Sequence, residues 1–206
     1  MRDTSPVCIV GDDDDFRLSV RALLESASFS VKEYISATDF FSDGIFGAAC
    51  LVADIQMPQT DGLALQYEVA KRRCDLPVVL MSGRAQVQTA VSAMKAGAVD
   101  FIERPFEDEV FLSSVRRAIE IGERSRSQAA ETRGARKLVA SLTPREHAVL
   151  EELVAGSSNK VTAQKLGISP RTIEVYRAQI MTKLRSHSLS ELVRIAMAAA
   201  RPLPPN

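Results

Sequence analysis

The sequence predicts two domains: an α/β domain on a doubly wound, five-stranded parallel sheet, followed by an all-α domain of four helices. The first half alternates short, continuous apolar runs with helical patterns, which is typical of buried parallel strands joined by crossover helices. The second half contains helical patterns alone. The sign of the charge also changes, because residues 1–122 carry 12 basic and 19 acidic side chains, whereas residues 123–206 carry 14 basic and 7 acidic ones.

The elements of the first half follow one another in a regular order. The first apolar run ends in four aspartates, and the next segment places Phe16, Val20 and Leu24 at helical spacing. This unit of strand and helix recurs three more times, and a weaker strand falls between the first two units. The predicted strands cover residues 7–11, 30–34, 49–54, 76–82 and 99–103, and the predicted helices cover residues 16–27, 63–73, 87–96 and 107–121.

The predicted domains are residues 1–122 and 140–206, joined by a linker at residues 123–139. The linker is poor in large apolar residues, and we expect its start to be helical as an extension of the preceding helix. In the second domain Thr143, Pro144 and Glu146 form a capping-box pattern that begins a helix. Three more helices are predicted at about residues 159–166, 170–184 and 188–200.

Composition excludes several classes of protein. With 46% hydrophobic and 25% charged residues, the chain has the composition of a globular protein. Its apolar runs fall short of the roughly 20 residues that span a bilayer. The beginning of the sequence lacks the basic segment and apolar core of a signal peptide, so we expect a cytoplasmic protein without a membrane partner. The basic second half favours a polyanionic partner.

Polar side chains follow four of the predicted strands at the point where each strand ends. Because the carboxyl ends of parallel strands meet at one edge of a sheet, we expect these side chains to lie close together. Carboxylates with one hydroxyl and one cation suit Mg²⁺ and a phosphoryl group. The four groups are Asp12 to Asp15, Asp54, Ser82 with Gly83, and Arg104 with Pro105.

The first half resembles the receiver domain of bacterial two-component response regulators. Residues 52–63, Val-Ala-Asp-Ile-Gln-Met-Pro-Gln-Thr-Asp-Gly-Leu, are similar to the phosphoacceptor motif of that family, and residues 93–106 are similar to its late signature. The resemblance implies a flavodoxin-like fold and no enzymatic activity beyond the domain's own phosphotransfer from a phosphohistidine of a sensor kinase. It implies these roles: Asp54 as phosphoacceptor, assisted by Ser82 and Arg104; Asp12, Asp54 and the carbonyl of Gln56 as Mg²⁺ ligands; Ser82 and Phe101 as the switch.

Two positions depart from the family pattern. The usual acidic pair falls on Gly11 and Asp12, so the first carboxylate is missing and we expect weaker Mg²⁺ binding. The run of aspartates leaves open that Asp13 or Asp14 substitutes for it. Arg104 stands where the family has lysine, and its planar guanidinium is larger than an ammonium group.

The second half resembles the LuxR-type helix-turn-helix domain at residues 142–146, 154–160 and 166–177, and the whole chain resembles the FixJ/NarL class of response regulators. In such a domain the second helix of the motif enters the major groove. The expected base-reading residues are Thr172, Glu174, Val175 and Ala178, and the expected phosphate contacts are Lys160, Arg171, Arg177 and Lys183. For Lys165 and Lys183 a solvated surface role is a comparable alternative.

Three functions compete. The first is a transcriptional regulator that a sensor histidine kinase switches by phosphorylating Asp54, forming a homodimer on double-stranded DNA, with RNA polymerase as a further candidate partner. The second is a regulator whose receiver is a dimerisation or partner-binding module independent of phosphorylation, as Gly11 and Arg104 suggest. The third is a haloacid dehalogenase-like phosphohydrolase, which needs a second aspartate where this chain has Gln56.

Overall fold

A computed structural model describes residues 5–44, 47–57, 61–72, 75–84 and 87–202 of the chain. The chain divides into two compact units, and the boundary lies between Arg126 and Ser127. The first unit contains a five-stranded parallel sheet flanked by helices, and the second unit is helical. The predicted fold class is therefore confirmed.

The sheet has the strand order β2-β1-β3-β4-β5, and each neighbouring pair is parallel. The three inner strands are buried along their whole length, as their continuous apolar runs predict. The strands are β1 (Val7–Val10), β2 (Val31–Tyr34), β3 (Cys50–Asp54), β4 (Val78–Ser82) and β5 (Asp100–Glu103).

Helices cover both faces of the sheet, and side chains alternate between two apolar clusters. Val7 and Ile9 of β1 belong to the cluster that contains Phe16 and Phe111, whereas Cys8 belongs to the opposite cluster. This alternation follows from the two-residue period of a strand. The helices that supply the two clusters are α1 (Asp14–Ser26), α2 (Ala37–Asp39), α3 (Gly62–Arg72), α4 (Val87–Lys95) and α5 (Asp108–Val139).

Helix α2 and the π-helical turn that follows it, Phe40–Gly44, were not among the predicted elements. Ser36 caps the segment, because its hydroxyl accepts a hydrogen bond from the backbone N–H of Asp39 at 3.2 Å. Phe40 is completely buried and contacts the ring of Tyr34 edge-on, with the ring centroids 5.5 Å apart. A cap and one aromatic anchor therefore form this short element without an extended periodic pattern.

Helix α5 is longer than predicted, since it includes the whole of residues 123–139. In the second unit Arg136 donates hydrogen bonds to the carbonyls of Ala199 and Arg201, at 3.0 and 2.7 Å. Glu131 forms ion pairs with Arg194 and Arg201. Side-chain contacts within the second unit therefore stabilise a segment whose composition predicted a partly helical linker.

The second unit contains four further helices, each capped by a hydroxyl side chain. Helix α6 begins with the capping box that the sequence predicts, in which Thr143 and Glu146 bond to each other's backbone. Gly167 ends the next helix with a φ of +67°, a conformation that glycine adopts without steric cost. In the described part of the chain, no helix is both long enough and apolar enough to cross a bilayer. The four helices are α6 (Pro144–Val154), α7 (Asn159–Leu166), α8 (Pro170–Lys183) and α9 (Leu189–Ala200).

Candidate functional site

The carboxylate of Asp54 lies at the end of β3, in the centre of the sheet edge where the sequence predicts a pocket. Asp54 is only 2% exposed. One carboxylate oxygen accepts a hydrogen bond from the backbone N–H of Gln56 at 3.0 Å, and the other accepts from Nη2 of Arg104 at 2.8 Å. The pocket therefore holds a buried anion between one N–H group and one guanidinium.

The surroundings of Asp54 have opposing effects on its charge. Burial raises the pKa of the Asp54 carboxyl above its ordinary value, and the negative charge of Asp12 acts in the same direction. The backbone N–H of Gln56 and the charge of Arg104 oppose this rise in the pKa. The structure thus places Asp12, Asp54, Gln56 and Arg104 within one electrostatic environment, although Asp12 itself is exposed.

Arg104 follows β5 and reaches across the edge of the sheet. Its guanidinium carbon lies 4.9 Å from the centroid of the Phe16 ring, which is a cation–π contact. A Cβ atom at Gly83 would lie 3.5 Å from Nη2 of Arg104, so the loop after β4 runs close beside the guanidinium. Nε of Arg104 is buried and finds no hydrogen-bond partner in the described part of the chain.

Phe16 fills the space beside Gly11, the position of the missing carboxylate. A Cβ atom built on Gly11 would lie 2.6 and 2.7 Å from two carbons of the Phe16 ring, so a larger residue requires the ring to move. The carbonyl of Gly11 accepts a hydrogen bond from Arg17 at 2.6 Å. Phe16 belongs to the core stripe of α1, as its helical spacing predicts, but that spacing does not indicate its contacts with Gly11 and Arg104.

The neighbouring aspartates are engaged elsewhere. Asp13 caps α1 by accepting a hydrogen bond from the backbone N–H of Asp15 at 3.0 Å. Asp14 forms an ion pair with Arg17. The structure therefore leaves Asp12 beside Asp54 and gives the two aspartates that were candidates for the missing carboxylate other roles.

The two proposed switch residues lie on the neighbouring strands. Ser82 is 1% exposed, and its hydroxyl donates to the carbonyl of Arg84 at 2.9 Å and accepts from the N–H of Arg84 at 3.2 Å. Phe101 in β5 is partly buried against the cluster formed by α3 and α4. In this structure the Ser82 hydroxyl is bound to its own loop.

The carboxylates of Asp12 and Asp54, together with the carbonyl predicted for Gln56, are oxygen ligands of the kind that Mg²⁺ prefers. These oxygen donors therefore match Mg²⁺ in chemical type. The donor set is also sparse, because no cluster of three or more His, Cys, Asp or Glu side chains able to hold a metal occurs among the described residues. Gly11 contributes no carboxylate to the pocket.

The candidate nucleic-acid interface is built from α7, the turn at Gly167 and α8. Ile173 and Ile180 of α8 are fully buried and fix which face of this helix points outward. Arg171, Glu174, Val175 and Ala178 are exposed on it, as predicted, and Lys160 is exposed on α7. Lys160 and Arg171 form no ion pair with any other described residue, which leaves their charges available to a ligand.

Three of the predicted contact residues have partners within the unit. The hydroxyl of Thr172 lies 2.8 Å from that of Ser169 in the cap of α8, and Thr172 is only partly exposed. Arg177 donates to the side chain of Asn159 at 2.7 Å, which joins α8 to the start of α7.

Lys183 donates to Glu146 of α6 at 2.7 Å, and Lys165, for which a surface role was open, forms an ion pair with Glu152. The ammonium of Lys183 thus has a partner within the unit, and its contact with a phosphate stays a prediction.

Comparisons with known proteins agree with both halves of this description. Residues 7–116 match the model of the response regulator receiver domain, and residues 140–196 match that of bacterial regulatory proteins of the luxR family. The transcriptional regulatory protein FixJ of Bradyrhizobium diazoefficiens is 44% identical over 94% of this chain and 95% of its own length. FixJ of Azorhizobium caulinodans is 42% identical over 97% of this chain and 95% of its own length.

Solved structures show the same similarity. The response regulator StyR superimposes with a TM-score of 0.79 and 32% identity, covering 94% of this chain and 98% of StyR. Full-length FixJ from B. japonicum has a TM-score of 0.57 and 43% identity, covering 95% of this chain and 97% of its own.

Proposed function

Because this chain belongs to the two-component response regulators, as a FixJ-like transcriptional regulator with a receiver domain and a LuxR-type DNA-binding domain, we propose that phosphorylation of Asp54 controls its binding to DNA. The observation that carries the proposal is the position of Asp54. Its buried carboxylate lies at the carboxyl end of the central strand, with Arg104 at 2.8 Å and the Gln56 N–H at 3.0 Å. These donors suit the charge that develops on a transferring phosphoryl group.

The proposed donor is a phosphohistidine on a sensor kinase. A carboxylate oxygen of Asp54 forms the new O–P bond while the N–P bond to the imidazole breaks, and the leaving imidazole keeps the electron pair and its remaining N–H. Arg104 then faces a phosphoryl oxygen instead of the free carboxylate. Asp12, Asp54 and the carbonyl of Gln56 would hold Mg²⁺, which when bound supplies charge neutralisation to the phosphoryl group.

The proposed switch begins at Ser82. Its hydroxyl must stop donating to the carbonyl of Arg84 before it can donate to a phosphoryl oxygen, and that exchange alters the loop after β4. Phe101 lies partly buried in β5, beside Leu80 of β4, and follows this change. The surface beside it carries an apolar stripe on α4, in which Val87 is 81% exposed and Met94 is 47% exposed. We propose this face of α4 and β5 as the contact between two copies of the receiver.

The second unit supplies the proposed DNA contact. Helix α8 lies in the major groove, where Glu174 accepts from a cytosine amine and Val175 meets a thymine methyl group. Lys160 and Arg171 contact phosphates and supply affinity without sequence preference. A dimer presents two such helices to a palindromic site.

The test is phosphotransfer to the wild type and to Asp54→Ala, with DNA binding measured on both. Phosphoramidate serves as a small donor with the same P–N bond. We expect a stable label and tighter DNA binding in the wild type, and neither in Asp54→Ala. Labelled wild type whose DNA affinity and dimerisation match those of the unlabelled protein would contradict the proposal.

One alternative rests on a specific observation, the replacement of an acidic residue by Gly11 and of a lysine by Arg104. In that case the receiver dimerises or binds a partner without phosphorylation. Beryllofluoride with Mg²⁺ mimics the phosphoryl group, so a titration that leaves dimerisation and DNA affinity unchanged favours this alternative.

A further inference from the structure

Phe16, Gly11 and Arg104 form one contact chain that leads to Asp54. The ring of Phe16 lies against the backbone of Gly11, where a Cβ atom would come within 2.6 Å of it. The guanidinium of Arg104 stands 4.9 Å from the centroid of the same ring and bonds Asp54 at 2.8 Å. The absence of a side chain at residue 11 thus makes room for the ring, and the ring supports the guanidinium.

With glycine at position 11, the pocket carries one negative charge fewer than it would with an acidic residue there. An acidic residue at position 11 would add a third negative charge beside Asp12 and Asp54, and such charges attract a divalent cation. Here the third charge is absent, and an arginine held by an aromatic ring contacts the central carboxylate. Arginine cannot lose its charge, and its planar fork can bond two oxygens at once.

The guanidinium also keeps unused hydrogen-bonding capacity. Its Nη2 bonds Asp54, whereas its buried Nε finds no partner in the described part of the chain. A buried donor without a partner is costly, and an arriving anion with several oxygens relieves that cost. A lysine at this position would have a compact ammonium on a flexible stem and would gain less from the ring of Phe16.

We propose that Arg104, held by Phe16 in the space that Gly11 leaves, is the resident cation of this pocket and takes over part of the charge neutralisation that Mg²⁺ supplies to a phosphoryl group. This inference rests on the proposed function, because it concerns the same phosphoryl group at Asp54. Beryllofluoride, as a mimic of that group, binds the wild type at Mg²⁺ concentrations at which a lysine-containing pocket stays empty. Arg104 is therefore the residue that determines how strongly the receiver depends on metal.

The experiment measures beryllofluoride binding to the full-length chain by ¹⁹F NMR at increasing Mg²⁺ concentration, and measures Mg²⁺ affinity separately by calorimetry without beryllofluoride. The variants are Arg104→Lys, which keeps the charge, and Phe16→Leu, which keeps the guanidinium and removes the ring. Arg117→Lys is the matched control, because Arg117 pairs with Asp100 at 2.8 Å in the same unit. Circular dichroism on each variant establishes that it is folded.

We expect Arg104→Lys to raise the Mg²⁺ concentration needed for half-maximal beryllofluoride binding by about tenfold, a ratio between those of an exposed and a fully desolvated cation–π contact. Phe16→Leu shifts it in the same direction, and Arg117→Lys leaves it unchanged. If Phe16→Leu does not fold, Arg104→Lys alone decides the question.

An equal dependence on Mg²⁺ in the wild type and Arg104→Lys would overturn the inference and leave the proposed function standing. Failure of the wild type to bind beryllofluoride at any Mg²⁺ concentration would overturn both.

Discussion

The ammonium of Lys183 in α8 lies 2.7 Å from the carboxylate of Glu146 in α6, and the same carboxylate accepts the backbone N–H of Thr143 at 2.7 Å. Glu146 is only 3% exposed. One carboxylate therefore closes the cap of the first helix of the DNA-binding unit and anchors the end of the helix proposed to read DNA.

Replacement of Glu146 by glutamine should destabilise the second unit. The glutamine amide oxygen can still accept from the backbone of Thr143, but it lacks the negative charge that pairs with Lys183, so we expect the free energy of unfolding to fall by about 1 kcal/mol. Chemical denaturation of the full chain followed by circular dichroism measures this change. Glu151→Gln on the exposed face of α6 is the control, and an equal loss of stability in the two variants would contradict the assigned role of Glu146.

The contribution of Glu146 should depend on pH. The hydrogen bond from Lys183, followed by that from the backbone of Thr143, lowers the pKa of the Glu146 carboxyl below its ordinary value of 4.5. A lowered pKa means that the stabilisation is complete above pH 4.5 and is lost as the pH falls through the pKa of the folded state. The stability difference between wild type and Glu146→Gln should therefore be constant from pH 7 to pH 5 and shrink below pH 4.

Salt dependence should separate the basic residues of the DNA-binding unit. Lys160 and Arg171 are exposed and form no ion pair with any described residue, so each is expected to neutralise one phosphate. Lys160→Ala and Arg171→Ala should each reduce the slope of log affinity against log salt concentration by about 1, whereas Lys183→Gln should leave it unchanged. Fluorescence anisotropy on a duplex selected by the protein from random sequence gives these slopes. A reduced slope in Lys183→Gln would contradict this expectation and would support the phosphate contact that the sequence predicts for Lys183.

The sheet and the grouping of residues at its edge were predictable from the sequence, whereas several tertiary contacts were not. The strands were predictable because buried parallel strands are continuous apolar runs, and Asp54 and Ser82 were placed together because such strands end at one edge. Contacts between side chains distant in sequence were not predictable in this way. The Lys183–Glu146 pair and the Phe16–Arg104 contact depend on tertiary packing, and neither residue pair leaves a periodic or spaced pattern.

Gln66 provides a test of packing under α4. This residue of α3 is 2% exposed, and its Nε2 donates to the carbonyl of Ala93 in α4 at 3.1 Å. Its Oε1 is buried without a hydrogen-bond partner in the described structure.

We expect Gln66→Leu, which removes the acceptor without a partner and keeps the side-chain volume, to change the free energy of unfolding by less than about 1 kcal/mol. Gln66→Ala leaves a cavity and should cost roughly 2 kcal/mol or more. Hydrogen exchange of the α4 amides in Gln66→Leu should increase, because the bond to Ala93 is lost.

Asp54 itself should be a source of instability in the resting receiver. Burial and, to a smaller extent, the charge of Asp12 raise its pKa, so the folded state disfavours the ionised carboxylate despite the bonds from Gln56 and Arg104. A raised pKa in the folded state means that the folded protein binds the proton more tightly, and stability increases as the pH falls toward that pKa.

Asp54→Asn keeps the shape of the side chain and removes its charge, so we expect this variant to be more stable than the wild type at pH 7 and to lose that advantage at acidic pH. Denaturation of both proteins across this range measures the difference, and a less stable Asp54→Asn at pH 7 would show that the pair with Arg104 outweighs the cost of burial.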